Sequence, residues 1–272
     1  MTTAVIGTVI GDVVGSRFER HNHKNKDFEF FTEKNHFTDD TVMTLAVADA
    51  IMDVAAQKLV LGQDNAAIEA LAIASMQKLG QTYPLAGYGL NFSKWLRTVD
   101  PKPYGSYGNG AAMRIGPIGD LDLSDQDREH LARVITGISH NSEDGYLGAN
   151  ALAGVIATAK SQTDKDLIAD KMTSYYPLDL TLDEIRPTYR FDVSCAGSIP
   201  VAFQAFLEGD SFEDVIRNAI SVGGDSDTIA SMAGAIASAY YQDVPDDMVV
   251  KTLTYLPDDL RAILTRWQSF VG

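Results

Sequence analysis

Apolar and small residues recur along this chain with the spacing of helices. That spacing, or alanine-rich composition, predicts helices over Thr41–Gln57, Asn65–Leu79, Gln126–Thr136, Gly145–Ser161, Ala196–Glu208, Phe212–Ser221, Thr228–Tyr241 and Pro245–Tyr255. No comparable strand series is visible, so the expected fold class is all-α. Breaks are expected at Gly80–Tyr83, Pro101–Gly110, Pro117–Asp120 and Pro177–Pro187, where Gly, Pro or Asp punctuates the pattern. None reads as a low-complexity linker, and residues 1–272 are expected to form a single domain. Gly7, Gly11 and Gly15 recur every four positions, along one side of a first helix, which predicts close packing against a neighbour.

Two acidic segments interrupt this apolar pattern. Thr38-Asp39-Asp40-Thr41 and Asp225-Ser226-Asp227-Thr228 each stand directly before an alanine-rich helical stretch. Either one alone is explained by helix capping, which favours Thr, Ser and Asp at an N-terminus. Capping needs one good oxygen, however, and each segment carries two carboxylates beside hydroxyl groups. Together they form an all-oxygen ligand set suited to hard divalent cations. Gly223-Gly224 gives the second segment a flexible approach, and Asp12 and Glu19 border the first helix.

Composition narrows the class of partner. A net charge of −15 over 272 residues disfavours a broad phosphate-gripping surface, so nucleic acid is not expected as the main partner. The basic run Arg20–Lys26 is a local exception that reads as a solvated loop or as the rim of an anion-binding cleft. With 45% hydrophobic residues the chain can bury a sizeable core. The first residues lack a basic n-region, and Asp12 interrupts the apolar run. No stretch is long and apolar enough to cross a membrane. Cys195 is alone, which excludes an intrachain disulfide and fits a reducing compartment; a cytoplasmic monomer is expected.

Between the acidic segments runs Gly105-Ser106-Tyr107-Gly108-Asn109-Gly110-Ala111-Ala112-Met113-Arg114, a glycine-rich loop whose amides could hold a phosphate. It is not a Walker loop, because the Gly-Lys-Ser/Thr ending and a preceding strand are both missing. His140, in Ser139-His140-Asn141-Ser142, could serve as an acid, a base or a hydrogen-bonding arm, or be satisfied by local backbone.

Together these segments resemble the ADP-ribosylglycohydrolase family. The resemblance runs from Gly7 to Tyr241 and rests on five segments in order. They are Gly11-Asp12 with Gly15 and Glu19, then Thr38–Thr41, then Tyr107–Arg114, then Ser139-His140 with Gly145–Ala149, and last Gly223–Thr228. It implies a compact orthogonal multi-helix bundle with a central two-metal cleft. Thr38, Asp39 and Asp40 would hold one Mg²⁺ (or Mn²⁺) and Asp225 and Thr228 the other, with Asp227 between them and Glu19 as a mobile ligand.

The implied reaction is hydrolysis of the bond from the anomeric carbon of ADP-ribose to an acceptor, releasing ADP-ribose from an ADP-ribosylated protein. Glu19, Asp39 and Asp40 would serve catalysis. Gly105, Ser106, Tyr107, Gly108, Asn109, Gly110 and Met113 would hold the pyrophosphate and distal ribose, with His140 and Tyr146 near the phosphates or adenosine. A Mg²⁺-dependent phosphoester or pyrophosphate hydrolase would use the same ligand set. The fold also resembles jellyfish lens crystallins, a structural use against which both intact acidic segments count. Nothing in the motifs reads the leaving group.

Overall fold

Short polar side chains start most of the helices. Ser124, Ser142, Ser194 and Ser211 each accept a hydrogen bond from a backbone N–H of the first helical turn, and Thr181 completes a capping box with Glu184. The computed structural model describes residues 2–272, and among these there is no β-strand. In chain order the helices are α1 (Ala4–Gly15), α2 (Asp39–Ala56), α3 (Asn65–Thr82), α4 (Leu90–Trp95), α5 (Gly116–Asp120), α6 (Asp125–Gly137) and α7 (Glu143–Ser161). They continue with α8 (Lys165–Thr173), α9 (Leu182–Ile185), α10 (Cys195–Leu207), α11 (Phe212–Ser221), α12 (Ser226–Tyr241), α13 (Asp246–Leu253) and α14 (Asp258–Val271).

Each expected helix is present, but some expected breaks are not. Helix α3 continues through Gly80, where a Cβ would come 2.7 Å from the Leu96 side chain, so this glycine serves close approach and not termination. Pro117 lies in the first turn of α5, where its missing N–H costs nothing. Helix α14 is not alanine-rich; it is legible only by period, through Leu260, Ile263, Leu264 and Trp267, all buried.

Helices α1 and α12 lie at the centre. Every residue from Ala4 to Gly15 is buried, as is every residue from Ser226 to Ala239, the signature of helices enclosed on all sides. The glycine row makes their contact possible. A Cβ on Gly7 would fall closer than 3.0 Å to the Gly234 carbonyl, one on Gly11 to the Ala230 carbonyl, and one on Gly15 to Asp227 Cα. The helices therefore pack antiparallel, backbone against backbone. Helices α2, α5, α7, α10 and α11 surround this pair.

Asp120 ties the outer helices to it. Its Oδ1 accepts from Ala4 N at 2.7 Å and its Oδ2 from Trp267 Nε1 at 3.0 Å, while its carbonyl accepts from Lys160 Nζ at 2.6 Å. One residue thus joins α1, α5, α7 and α14.

Gly11→Ala should be strongly destabilising, because the added methyl meets fixed backbone and not a movable side chain. The expected loss is about 2 kcal/mol or more by chemical denaturation, against the usual small helical gain from Gly to Ala. A variant within about 0.5 kcal/mol of the parent would show that α1 and α12 can separate freely.

Candidate active site

The antiparallel packing of α1 on α12 brings the C-terminal end of α1 against the N-terminal end of α12. Asp12 sits one turn before Gly15, and Gly15 faces Asp227. Helix α2 starts at the same place, with Thr38 as its cap. Asp12, Asp40 and Asp227 consequently each offer a carboxylate oxygen within 4.8 Å of the others, all three buried. The two acidic segments, far apart in sequence, meet.

Two local devices set their approach. Gly223 and Gly224 have φ of +73° and +74°, a left-handed pair that turns the chain from α11 into α12, and Gly224 N donates to Asn22 Oδ1 at 3.2 Å. Asp39 N donates to Ala86 O at 2.7 Å, fastening the start of α2 to the loop before α4.

The oxygens are not equally engaged. Asp12 accepts from Thr38 N at 2.8 Å, Thr38 Oγ1 at 2.7 Å, Thr41 N at 3.0 Å and Thr41 Oγ1. Four donors fill the acceptor capacity of one carboxylate. Its role is therefore to fix the first turn of α2 and the hydroxyl of Thr38. Asp40 Oδ2 accepts from Thr228 Oγ1 at 3.0 Å, and Asp225 Oδ2 from Asn109 Nδ2 at 2.6 Å. Asp40 Oδ1 and Asp227 Oδ1 are buried with no hydrogen-bond partner.

Among the described residues, no Lys, Arg or His forms an ion pair with Asp12, Asp39, Asp40, Asp225 or Asp227. Desolvation, reinforced by neighbouring carboxylates, holds Asp39, Asp40 and Asp227 well above the usual carboxylate range. Burial raises Asp12 despite its donors, and raises Asp225 to about 6. Orphaned, like-charged oxygens without a basic partner fit a hard divalent cation. Glu19 lies at the edge of this group, its side chain 28% exposed and 3.9 Å from Arg20 Nε.

The glycine-rich loop forms a second wall. Gly108 bridges Ser194, Asn109 N donates to Val193 O at 2.7 Å, and Cys195 N donates to Tyr107 O at 3.0 Å. Gly105 has φ of +68°, its N–H donates to Asn141 Oδ1, and Ser106 O accepts from Ser142 Oγ. Tyr107 is exposed, Ser106, Gly108 and Gly110 are half-buried, and Met113 is buried. The Asn109 side chain points to the acidic cluster, donating to Asp225 and to Ser198 Oγ, so it links the two walls. His140 lies under the loop, with Nε2 3.1 Å from where a Cβ of Gly110 would sit.

Tyr146 is not gathered with these residues. Its hydroxyl would meet a Cβ of Gly137 at 3.0 Å, and Arg133 covers its ring at 3.9 Å, so it packs α7 against α6. Residues the motif reading passed over are Asp12 as the acceptor hub, Asn109 as a strut and Arg114 beside His140. For Asp12 a signal existed: a carboxylate between Gly11 and Gly15, on a helix otherwise apolar, has to be satisfied from outside that helix.

Raised carboxyl pKa values carry a definite sign. The folded state binds protons more tightly than the unfolded one, so their stability contribution is present below about pH 4 and is lost as pH rises through about 6, where Asp225 and Asp120 titrate. In chelator, the melting temperature should accordingly be higher near pH 5 than near pH 8. A flat or inverted profile between those values would mean that the carboxylates are compensated by the protein itself.

The chain matches the family described as ADP-ribosylglycohydrolase over residues 1–269. It is similar to ADP-ribosylhydrolase ARH3 of Homo sapiens, at 28% identity over 94% of this chain and 90% of that protein. It is also similar to ADP-ribosylarginine hydrolase Tri1 of Pseudomonas putida (strain GB-1), at 24% identity over 91% of this chain and 72% of that protein. A solved structure titled ADP-ribosylglycohydrolase-related protein complex superimposes with a TM-score of 0.68 at 21% identity, covering 93% of this chain and 95% of the other, which shows a shared fold. A match over nearly its whole length, on a fold that joins both acidic segments, means that the chain belongs to the ADP-ribosylglycohydrolase family.

Proposed function

We propose that this protein hydrolyses the glycosidic bond between ADP-ribose and a modified protein side chain, releasing ADP-ribose, with two Mg²⁺ ions, or Mn²⁺, in its acidic cleft. The observation that carries this reading is the meeting of two acidic segments around the unpartnered oxygens Asp40 Oδ1 and Asp227 Oδ1. Residues 1–272 would act as one domain and as a monomer. No helix among the described residues is long and apolar enough to cross a membrane, and the lone Cys195 fits the reducing cytoplasm.

Thr38, Asp39 and Asp40 would hold one ion, Asp225 and Thr228 the other, with Asp227 between and Glu19 at the exposed edge. Bound there, divalent cations would supply Lewis acidity and a grip on sugar hydroxyls. The protein's own part is to orient and to exclude. Asp39 and Asp40 orient water toward the anomeric carbon, where bond cleavage develops positive charge that nearby carboxylates stabilise. Glu19 polarises the scissile end. Asn109 and Asp12 hold the carboxylate and hydroxyl groups of the cleft in place before substrate arrives. The Gly105–Met113 loop holds the pyrophosphate and distal ribose, and His140 reaches it from below.

An ADP-ribosylarginine hydrolase among the relatives makes modified arginine one acceptor to test. The protein should be incubated with ADP-ribosylated arginine and serine peptides, with and without Mg²⁺, and the products identified by mass. Intact ADP-ribose is expected; AMP and ribose phosphate would assign a pyrophosphate hydrolase instead.

Asp227→Asn should lower turnover by orders of magnitude while the helical circular-dichroism signal persists. Near-normal turnover would remove Asp227 from the set of residues that would hold the ions. Mg²⁺ at about 100 times its dissociation constant should stabilise the parent by about 2.7 kcal/mol per independent site. Identical melting in Mg²⁺ and in chelator would exclude the metal cleft.

A further inference from the structure

Arg114 is completely buried, yet no carboxylate pairs with it. Its Nη2 donates to Ser139 Oγ at 2.7 Å and lies 3.2 Å from His140 Nδ1, while Ser139 Oγ lies 2.8 Å from the same ring nitrogen. A guanidinium has only N–H donors and stays protonated. Nδ1 facing it has to accept, and so does Ser139 Oγ, which is left with its own proton to give to Nδ1. The ring proton therefore resides on Nε2. Protonating Nδ1 as well would set two donors and two positive charges against each other in a buried space. Desolvation and Arg114 both hold the imidazole well below its ordinary pKa.

The free nitrogen faces the glycine loop. Nε2 is 3.1 Å from where a Cβ of Gly110 would sit and 3.8 Å from that of Gly108, in space that side chains at those positions would occupy. It has no hydrogen-bond partner among the described residues. The other groups around the ring are Tyr104 and Phe92, with ring centroids 5.9 and 6.1 Å away.

We propose that Arg114 is a positioning residue that locks His140 as the neutral Nε2–H tautomer, making it a fixed hydrogen-bond donor to an anionic oxygen held in the Gly108–Gly110 loop. His140 would then take no part in proton transfer. The ligand half of this inference rests on the reading of that loop as the ADP-ribose pyrophosphate cradle; the tautomer half does not.

Long-range ¹H–¹⁵N correlation spectra of the ligand-free protein, with His140 assigned by His140→Gln, test it directly. The Nε2–H pattern, unchanged between about pH 6 and about pH 8, is expected, whereas a free imidazole would titrate there. An Nδ1–H tautomer, or an imidazolium near pH 6, would overturn the proposal without any Arg114 variant. In Arg114→Met the ring should become a tautomer mixture, and ADP-ribose affinity by calorimetry at about pH 8 should fall by the inverse of the remaining Nε2–H fraction, about twofold for an even mixture. An Arg114→Met protein that keeps both the pattern and the affinity refutes the lock. If Arg114→Met does not fold, Ser139→Ala, which leaves the guanidinium facing Nδ1, should keep the pattern; an Nδ1–H signal there overturns the assignment to Arg114. Should the parent show the Nε2–H pattern but fail to bind ADP-ribose, the lock stands and the proposed substrate falls.

Discussion

The backbone contact between α1 and α12 is the constraint on which the site depends. Helices that meet through ordinary side chains keep their axes about 8–10 Å apart. Here Gly7, Gly11 and Gly15 remove the spacers on one side, and Gly234, Ala230 and Asp227 receive them on the other. Antiparallel packing at that distance leaves no choice about which ends meet. The end of a helix carrying Asp12 is pressed to the start of a helix carrying Asp227, and the hydrogen bonds from Thr38 and Thr41 to Asp12 draw the start of α2 to the same point.

Crowding carboxylates in a core is unfavourable, and the fold meets part of that cost. Helices α2 and α12 both begin at the cluster, so their N-terminal dipoles favour negative charge there. Neutral donors do more: Asp12 takes four, Asp225 takes Asn109, and Asp40 takes Thr228. These bonds orient the carboxylates but add no full positive charge. Asp40 Oδ1 and Asp227 Oδ1 keep their unsatisfied lone pairs, and a large apolar core elsewhere tolerates the strain. Buried carboxylate oxygens that the protein's own side chains leave without a positive partner fit a hard divalent cation.

Most of the helical framework was legible, because alanine-rich and apolar-periodic stretches such as Gly145–Ser161 and Thr228–Tyr241 have few other folds open to them. The glycine spacing foretold a close helix contact, though not its partner; nothing in a single sequence pairs Gly7 with Gly234. Gly80 and Pro117 misled for one reason: each is a breaker in general, but tertiary contact or first-turn placement made it harmless. Both acidic segments stood out, since paired carboxylates exceed what a cap needs. Asn109 was legible as a ligand contact of the loop; that its amide also braces Asp225, 2.6 Å away, only the fold shows. Tyr146 entered through the resemblance, as a contact of the phosphates or adenosine, but the helical period turns its ring toward α6.

The two sides of the proposed site differ in what they can do with protons. On the acid side, burial and neighbouring carboxylates hold Asp40 and Asp227 well above the usual carboxylate range and Asp225 at about 6, so protonation there responds to pH. On the loop side the polar groups are amides and an imidazole facing a guanidinium, none of which changes charge near neutrality. A ligand bridging both sides would meet variable charge at one end and fixed donors at the other. Its anionic part can be held without that grip depending on the protonation of the reacting end. Asn109 joins the two sides through a neutral amide, so the loop can brace Asp225 without supplying the positive charge that the acid side lacks.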